Sequence, residues 1–315
     1  MKNAIITGAT GVTGNALTRY LLNQGICVTA LVRPDSPRKR WLPYDDDKLT
    51  IVDVELGHLT DIAVVELNND YDVFFHLGWE GSRGKDKSQK RNAMGMQANN
   101  ILYELDAVEL CKKLGCKRFV ATGSQAEYGP RRDALREDMI CVPKNGYGAA
   151  KYCSSIMTRL LCNDYNIDHI WARLLSVYGP YDGTHSLIDM IIRGTINGNH
   201  VPLTKGEQIW DYLYSYDAAK ALYLLAKHGK SSEEYIVASG KGKPLRDYIE
   251  IIYKSMGMDG IPGIGELEYT DNQTMYLVGD ITKLERDTGF VPEYDFESGI
   301  KKVIQWHKEN RVNLL

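Results

Sequence analysis

Cysteine and histidine occur in this sequence without the spacings that metal sites and disulfide scaffolds require. The six cysteines include no CxxC pair, and the seven histidines form no HxH or HExxH cluster. A structural zinc site draws its ligands from such short spacings, so we expect no bound metal. A chain of 315 residues is long enough to bury a sizeable core, and we expect its cysteines to be reduced thiols.

Long apolar runs and a strong excess of one charge are also missing. No stretch approaches the roughly 20 apolar residues that cross a bilayer, and the first residues, MKNAIITGATG, reach glycine too early for a signal peptide. The net charge is −3, which gives no general attraction to nucleic acid or to an anionic membrane. These features predict a cytoplasmic protein with neither a nucleic-acid nor a membrane partner.

Short apolar runs alternate with helical patterns through the first half of the chain. The predicted strands are Asn3–Thr7, Cys27–Val32, Leu49–Val52, Val73–His76, Arg118–Thr122 and His169–Leu174. The predicted helices cover about Gly14–Gln24, Ala93–Leu114 and Tyr147–Tyr165. Apolar strands that alternate with helices indicate an α/β fold with a doubly wound parallel sheet of the Rossmann type.

After about Ser176 the elements become shorter and turns more frequent. This change predicts a Rossmann domain over residues 1–175 and a smaller, mixed α/β lobe over 176–315 that binds the substrate. A part of the second half, about 215–240, is expected to return to the Rossmann domain.

A glycine-rich turn, TGATGVTG, joins the first predicted strand to the first helix. In this GxxGxxG pattern one glycine permits a tight turn, one lets the backbone approach a pyrophosphate, and one lets helix and strand pack closely. The start of the helix adds free N–H groups and the positive end of its dipole. The pattern predicts dinucleotide binding by Gly8, Thr10, Gly11, Val12, Thr13 and Gly14.

The residue at the end of the second strand indicates which dinucleotide binds. An acidic residue there would bind the ribose 2′-hydroxyl of NAD, whereas this chain has Arg33, and a guanidinium suits a 2′-phosphate. The basic segment 38–40 adds positive charge, while Asp35 could serve a ribose instead. NADP(H) is therefore favoured and NAD(H) is possible. Asp53, after the third strand, is a candidate contact for the adenine.

The segment YGAAK places Tyr147 and Lys151 four residues apart, on one face of a predicted helix. A phenol has a pKa of about 10 and is a poor base at neutral pH, but a neighbouring ammonium favours the phenolate and lowers that pKa. The pair therefore predicts a general acid/base, Tyr147, assisted by Lys151. Ser124, at the end of the fifth strand, is the candidate that holds the substrate oxygen.

Ordered motifs along nearly the whole chain give a resemblance to a known family. Beside the glycine turn and YGAAK they are HLGW at His76–Trp79, SQAEYG at Ser124–Gly129, RLLSVYGP at Arg173–Pro180 and WDYLYSYDAAKA at Trp210–Ala221. The chain resembles the extended short-chain dehydrogenase/reductases, the NAD(P)-dependent nucleotide-sugar epimerase/dehydratase family.

The resemblance implies a cofactor, a substrate class and an assembly. It implies a Rossmann domain that binds NAD(P), a C-terminal lobe that binds a nucleoside-diphosphate sugar, and hydride transfer at the sugar ring. It assigns the chemistry to Ser124, Tyr147 and Lys151, and it adds cofactor contacts at Leu77, Gly78 and Asn99. A homodimer through the two long helices is also expected, although their apolar residues could equally all face the sheet.

Departures from the family pattern concern the substrate. Dehydratase members carry an Asp-Glu pair after the catalytic hydroxyl residue, where this chain has Gln125 and Ala126. Glu127 is displaced by one residue, which in an extended segment turns it to the opposite face, so we expect no 4,6-dehydratase. Ser176 replaces a usual Asn, and Trp210 replaces a usual Arg. The candidate substrate contacts, each of which could instead pack the lobe, are Trp79, Gln125, Ser176, Tyr178, Gln208, Trp210 and Asn272.

Three functional hypotheses follow. The favoured one is an NADPH-dependent reductase of a nucleoside-diphosphate 4-keto-deoxy or dideoxy sugar, because Arg33 suits NADPH and a consumed reductant is naturally NADPH. The alternative is a 4-epimerase that retains NAD and returns the hydride to the other face of the sugar. A nucleotide-sensing protein without catalysis is the third, and the presence of Ser124, Tyr147 and Lys151 disfavours it.

Overall fold

The computed structural model describes residues 1–62, 67, 70–81, 86–183, 186–270 and 273–310. The strands in chain order are β1 (Asn3–Thr7), β2 (Cys27–Val32), β3 (Leu49–Asp53), β4 (Val73–His76), β5 (Arg118–Ser124), β6 (Asp168–Leu174), β7 (Ser176–Tyr178), β8 (Ile209–Trp210), β9 (Tyr212–Tyr214), β10 (Glu233–Val237), β11 (Lys243–Pro244) and β12 (Tyr276–Leu277). The helices are α1 (Val12–Asn23), α2 (Lys87–Arg91), α3 (Met94–Lys113), α4 (Gly146–Asp164), α5 (Leu187–Ile196), α6 (Ser215–His228), α7 (Leu245–Ser255), α8 (Thr282–Thr288) and α9 (Phe296–Glu309).

Seven parallel strands form the central sheet, in the order β10-β6-β5-β4-β1-β2-β3. Alternate residues of each strand face different helical layers. Ile6 of β1 packs in the layer of α1 and α6, whereas Ile5 packs in the layer of α3 and α4. The apolar runs of the sequence thus form strands that are buried on both faces, and the predicted Rossmann-type fold is confirmed.

The order of the strands reverses beside β1, because β2 continues the sheet on one side and β4 on the other. The carboxyl ends of β1 and β4 therefore open a crevice, which is where ligands bind in open α/β sheets. The glycine turn, the residues after β4 and the end of β5 all lie along this edge of the sheet.

The C-terminal lobe contains a three-stranded sheet, β11-β8-β12, and a two-stranded pair, β7-β9. Helices α5, α7 and α9 pack together around them over a core rich in tyrosine. After β9 the chain returns to the central sheet, where α6 packs against α1 and β10 pairs with β6. In the part of the chain that the structure describes, no helix is both long enough and apolar enough to cross a membrane.

Candidate active site

The glycine turn is held by backbone contacts that leave no room for side chains. Gly8 has a φ of +73°, and a Cβ on it would lie 2.6 Å from the carbonyl carbon of Leu77. A Cβ on Gly14 would lie 2.1 Å from the carbonyl oxygen of Gly8. Helix α1 follows with Gly11 as its N-cap and with no acidic residue in its first turn. Its first N–H groups therefore suit the pyrophosphate of a dinucleotide.

The predicted cofactor residues Leu77 and Gly78 lie beside this turn. The hydroxyl oxygen of Thr7 accepts hydrogen bonds from the N–H groups of Leu77 at 3.2 Å and Gly78 at 3.1 Å. A Cβ on Gly78 would lie 2.7 Å from Leu56 Cδ2. Thr7 thus ties the end of β4 to the end of β1, and the two cofactor segments line one crevice.

The loop after β2 lies over the glycine turn. Ser36 Oγ donates a hydrogen bond to Thr10 Oγ1 at 3.5 Å, and the side chain of Arg33 is exposed. Lys39 forms an ion pair with Asp53, the last residue of β3, and the guanidinium of Arg40 lies 4.8 Å from the centre of the Trp41 ring. Arg33 and Asp53 therefore both lie on the side of the turn where an adenosine would bind.

Ser124 and Tyr147 are brought together by the packing of α4 against the turn after β5. Ser124 is the last residue of β5, and its Oγ accepts a hydrogen bond from the N–H of Ala126 at 3.2 Å. Tyr147 lies in the first turn of α4, which is capped by Asn145. A Cβ on Gly148 would lie only 2.3 Å from the carbonyl oxygen of Ala126, so the start of α4 contacts the turn that holds the serine.

Two side chains cover the ring of Tyr147. The ring of Trp79 meets it edge to face, with centroids 5.7 Å apart, and the guanidinium of Arg91 lies 4.8 Å from its centre. The indole N–H of Trp79 donates to Gln97 Oε1 at 3.0 Å. Trp79, predicted as a substrate contact, thus lies beside the predicted acid/base.

Lys151 has a buried carboxylate as its partner. Its Nζ donates a hydrogen bond to Glu104 Oε1 at 2.8 Å and lies 3.7 Å from the centre of the Trp79 ring. Burial raises the pKa of Glu104, and the charge of Lys151 opposes that rise. Sequence reasoning missed Glu104. Its position on the same helical face as Ala107, Val108 and Cys111 could have revealed a carboxylate that needs a buried partner.

The sequence predicted that Glu127 faces away from the site, but the local conformation is not the extended one on which that prediction rested. The segment Gln125–Glu127 is a 3₁₀ turn and not an extended segment. The carboxylate of Glu127 is fully buried, accepts the N–H of Ser124 at 2.7 Å, and pairs with Arg173 Nε at 2.7 Å. Burial raises the pKa of Glu127, and the Arg173 charge opposes this rise. The carboxylate therefore holds the end of β5 in place.

Asn99, which the resemblance assigns to the cofactor, lies next to a buried asparagine on α3. Asn99 is exposed on α3, whereas Asn100 is buried. Asn100 Oδ1 accepts the N–H of Glu80 at 2.8 Å, and its Nδ2 donates to the carbonyl oxygen of Glu80 at 3.0 Å. Because neighbouring residues of a helix point about 100° apart, only Asn100 faces the loop after β4. The cofactor contact at Asn99 stays a prediction, and Asn100 is the residue that holds the loop after β4.

Tyr178, expected at the substrate, packs the core of the C-terminal lobe. It is 2% exposed, its hydroxyl donates to the carbonyl oxygen of Phe296 at 3.3 Å, and its ring contacts those of Tyr212, Tyr214 and Phe296. Burial raises its pKa. The packing role is therefore the correct one for Tyr178.

The other substrate candidates lie in several places. Gln125 is half-buried in the turn after Ser124, and Ser176 is half-buried at the start of β7. Gln208 is 3% exposed, and its Oε1 has no hydrogen-bond partner among the described residues. Trp210 is half-buried in β8 and packs against the cores of both the sheet and the lobe. Asn272 lies outside the described residues.

Comparison with known proteins matches this site to one family. Residues 4–238 match the model of the NAD dependent epimerase/dehydratase family. The matched segment begins in β1 and ends just after β10, so it includes the glycine turn, Ser124, Tyr147 and Lys151.

Individual relatives are distant but match over their full length. A dTDP-glucose 4,6-dehydratase of Escherichia coli is 25% identical, with 98% of this chain and 94% of the relative aligned. A CDP-abequose synthase of Salmonella typhimurium is also 25% identical, over 96% of this chain and 97% of the relative. A solved UDP-N-acetylglucosamine 4-epimerase from Methanobrevibacter ruminantium, in complex with UDP-N-acetylmuramic acid, has a TM-score of 0.86 and 25% identity over 98% of this chain and 99% of its own.

Proposed function

We propose a hydride-transferring function for this chain on one premise: the chain belongs to the NAD-dependent epimerase/dehydratase family. Members of this family act on nucleotide sugars with a nicotinamide dinucleotide. Within it, we propose that this chain is an NADPH-dependent reductase of a 4-keto-deoxy or dideoxy sugar on a nucleoside diphosphate. The observation that carries this choice is Arg33, an exposed guanidinium at the end of β2 where NAD-specific sites place a carboxylate.

The side chains of the site divide the reaction between them. When bound, the cofactor would supply the hydride for the keto carbon. Tyr147 would donate the proton that the new hydroxyl requires. Ser124 donates a hydrogen bond to the substrate oxygen and so favours the charge that develops on it. Lys151 binds the ribose next to the nicotinamide and, as a cation one helical turn away, favours the phenolate that Tyr147 becomes.

The dehydratase relatives eliminate water, and this chain lacks accessible carboxylates for that reaction after Ser124. Gln125 and Ala126 carry no carboxylate, and Glu127 is fully buried in its pair with Arg173. A buried, paired carboxylate is not available to remove a proton from a sugar ring. This supports reduction or epimerisation over dehydration.

The loop after β2 supports NADPH over NADH. Ser36 contacts Thr10 of the glycine turn, so the segment that follows Arg33 lies against that turn. A guanidinium binds a phosphate through charge-assisted and bidentate hydrogen bonds, which a 2′-hydroxyl cannot match.

The second candidate is a 4-epimerase that retains NAD. The 25% identity to a solved UDP-N-acetylglucosamine 4-epimerase, at a TM-score of 0.86, favours it. The residues assigned above to proton transfer would serve that reaction equally, since an epimerase oxidises and then reduces the same carbon.

The test compares cofactors and products directly. Purified protein is examined for bound nucleotide, titrated with NADPH and NADH, and then mixed with nucleoside-diphosphate 4-keto-6-deoxy sugars. We expect tighter binding of NADPH and its stoichiometric oxidation. An Arg33→Ala variant should lose about tenfold or more in affinity for NADPH, with little change for NADH, because one charge-assisted phosphate contact contributes about 1.5–3 kcal/mol.

Arg286→Ala is the matched control, because Arg286 is also exposed but lies on α8, which packs against β10 at the other edge of the sheet, and it should leave the preference for NADPH intact. Protein that purifies with tightly bound NAD and interconverts two nucleotide sugars without consuming cofactor would instead establish the epimerase.

A further inference from the structure

The side chains of Lys151 and Glu104 form an ion pair that is almost completely buried. The Lys151 side chain is 3% exposed and that of Glu104 is 0% exposed. Glu104 comes from the middle of α3 and Lys151 from the second turn of α4, so the pair joins two helices directly behind the crevice. Burying two charges costs free energy that a pair of well-packed apolar residues would avoid. Stabilisation of the fold alone is therefore a poor explanation for this ion pair.

The histidine beside this pair is uncharged. His76 lies fully buried at the end of β4, and its burial, together with the charge of Lys151, lowers its pKa to about 3. The Thr7 hydroxyl, whose oxygen accepts two backbone N–H groups, also forms a hydrogen bond with His76 Nδ1, 3.0 Å away. His76 is thus uncharged at neutral pH. In the described part of the chain, Glu104 is the carboxylate within hydrogen-bond distance of Lys151.

The ammonium of Lys151 uses only part of its hydrogen-bonding capacity within the described structure. An ammonium has three N–H donors, and Glu104 Oε1 accepts one of them. The face of Trp79 lies 3.7 Å from Nζ on another side and attracts the charge without accepting a conventional hydrogen bond. Among the described residues no second acceptor is hydrogen-bonded to Nζ, so two donors remain for the two hydroxyls of a ribose.

We propose that Glu104 is a positioning residue that fixes the ammonium of Lys151 and keeps it protonated for the cofactor ribose and for Tyr147. This inference rests on the proposed function, since it concerns how Lys151 performs the role assigned there. The alternative is that the pair only joins α3 to α4.

The test replaces Glu104 with Gln, which keeps the size of the side chain and removes its charge. We expect kcat to fall by about 10²-fold, as displacement of a catalytic group can cause, while KM for the nucleotide sugar changes little because Glu104 does not reach the substrate. The groups that face Lys151 are Glu104 from α3, His76 from β4 and Tyr147 one turn earlier, and Glu127 acts on Glu104. The substitution removes the charge of Glu104 and leaves the other side chains of this group in place.

The pH profile separates positioning from a merely structural role. Without its carboxylate, a buried ammonium is deprotonated more readily. The alkaline limb of the pH–kcat profile should therefore move to lower pH in Glu104→Gln. The affinity for NADPH, followed by energy transfer from tryptophan, should decline over the same pH range.

Glu109→Gln is the matched control. Glu109 also lies on α3 and accepts a hydrogen bond from Tyr165, the residue directly after α4, so its replacement also removes a link between α3 and the end of α4. Equal kcat and equal alkaline limbs in the two variants would overturn the proposal. If Glu104→Gln does not fold, Glu104→Asp decides: a carboxylate one methylene shorter should retain the wild-type alkaline limb at reduced kcat, and a shifted limb would count against positioning.

The cofactor titration keeps this proposal separate from the proposed function. If the wild-type protein binds NADPH but reduces no 4-keto sugar, the proposed function fails. The inference about Glu104 is then tested by NADPH binding alone. It holds if the variant loses affinity for NADPH toward alkaline pH, and it is wrong if the affinity does not change. If the wild-type protein binds neither NADPH nor NADH, Lys151 has no ribose to bind, and both proposals are wrong.

Discussion

At the scale of single residues, the sequence predicted that Tyr147 and Lys151 share one helix, but it did not reveal Glu104, the buried partner of Lys151. The spacing of Tyr147 and Lys151 follows from the geometry of one helical turn, so YGAAK was sufficient to place them together. Glu104 lies 47 residues before Lys151 in the chain, and no local pattern connects them. Contacts of this kind depend on how two helices pack, which the sequence of either helix does not specify.

Replacement of Tyr147 by Phe tests the residue that carries the proton. The variant keeps the ring that packs against Trp79 and loses only the hydroxyl. We expect cofactor binding to persist and kcat to fall by about 10²–10⁴-fold, the usual contribution of a general acid. Steady-state kinetics and an NADPH titration measure the two effects, and near-normal turnover would remove Tyr147 from the mechanism.

Replacement of Gly14 by Ala tests the glycine turn. The added methyl group would lie 2.1 Å from the carbonyl oxygen of Gly8, so the turn must shift. We expect a loss of about 1–3 kcal/mol in the free energy of unfolding, as overpacking causes, and weaker binding of the dinucleotide.

Gly95→Ala is the control, because a Cβ at Gly95, in the first turn of α3, has no neighbour within 4 Å. Its stability should be unchanged or slightly higher. Denaturant unfolding with and without NADPH measures both variants, and equal behaviour of the two would contradict the role of Gly14.

At the scale of secondary-structure elements, the sequence predicted the central sheet and missed most of the lobe. The predicted bounds of β1, β2 and β4 agree with the structure residue by residue. These strands are buried on both faces and appear as continuous apolar runs. The strands β8, β11 and β12 have two residues each, too few for any periodicity. Their existence depends on long-range pairing, which a local pattern cannot reveal.

The contact between α5 and α9 contains two buried titratable groups with opposite pKa shifts. Burial raises the pKa of Asp189 to about 7 and lowers that of His307 to about 4, and the two side chains approach to 3.6 Å. Between about pH 4 and pH 6.5 the folded protein holds a proton on Asp189 and lacks one on His307, whereas the unfolded chain has the reverse. The two groups therefore change the free energy of unfolding with pH in opposite directions.

Single replacements should reveal the two opposed slopes. In Asp189→Asn only His307 remains, the unfolded chain binds more protons than the folded protein, and the free energy of unfolding should rise with pH up to about 6.5. In His307→Gln the raised pKa of Asp189 remains, so stability should be greatest below about pH 4 and fall toward pH 7. Arg193 and Asp182 act on both groups and are unchanged. Urea unfolding across this range measures the slopes, and parallel curves would show that the assigned shifts are wrong.

At the scale of the whole molecule, the pair of helices α3 and α4 offers an apolar outer surface. Leu102 of α3 is 57% exposed and Leu160 of α4 is 59% exposed, while Val108 on another face of α3 is buried in the core. The apolar residues of these helices therefore do not all face the sheet. This supports the expected homodimer, in which α3 and α4 of each copy would pack against those of the other.

A charge on this surface tests the dimer. We expect Leu160→Lys to yield monomers, because an ammonium would be buried at the centre of the interface. Val291→Lys is the control, since Val291 is exposed to a similar degree, 62%, at another part of the surface. Light scattering after size-exclusion chromatography gives the mass of each variant, and an unchanged mass for Leu160→Lys would place the interface elsewhere.

The path of the chain limits how the specificity of this protein can be re-engineered. After β7–β9 build part of the lobe, α6 and β10 join the central sheet, α7 returns to the lobe, α8 packs against α6 and β10, and α9 ends in the lobe. A sugar-recognition module from a relative could not be transplanted as one cassette with a single pair of junctions. Any chimera must exchange several inserts at once and preserve the intervening segments that complete the nucleotide-binding half.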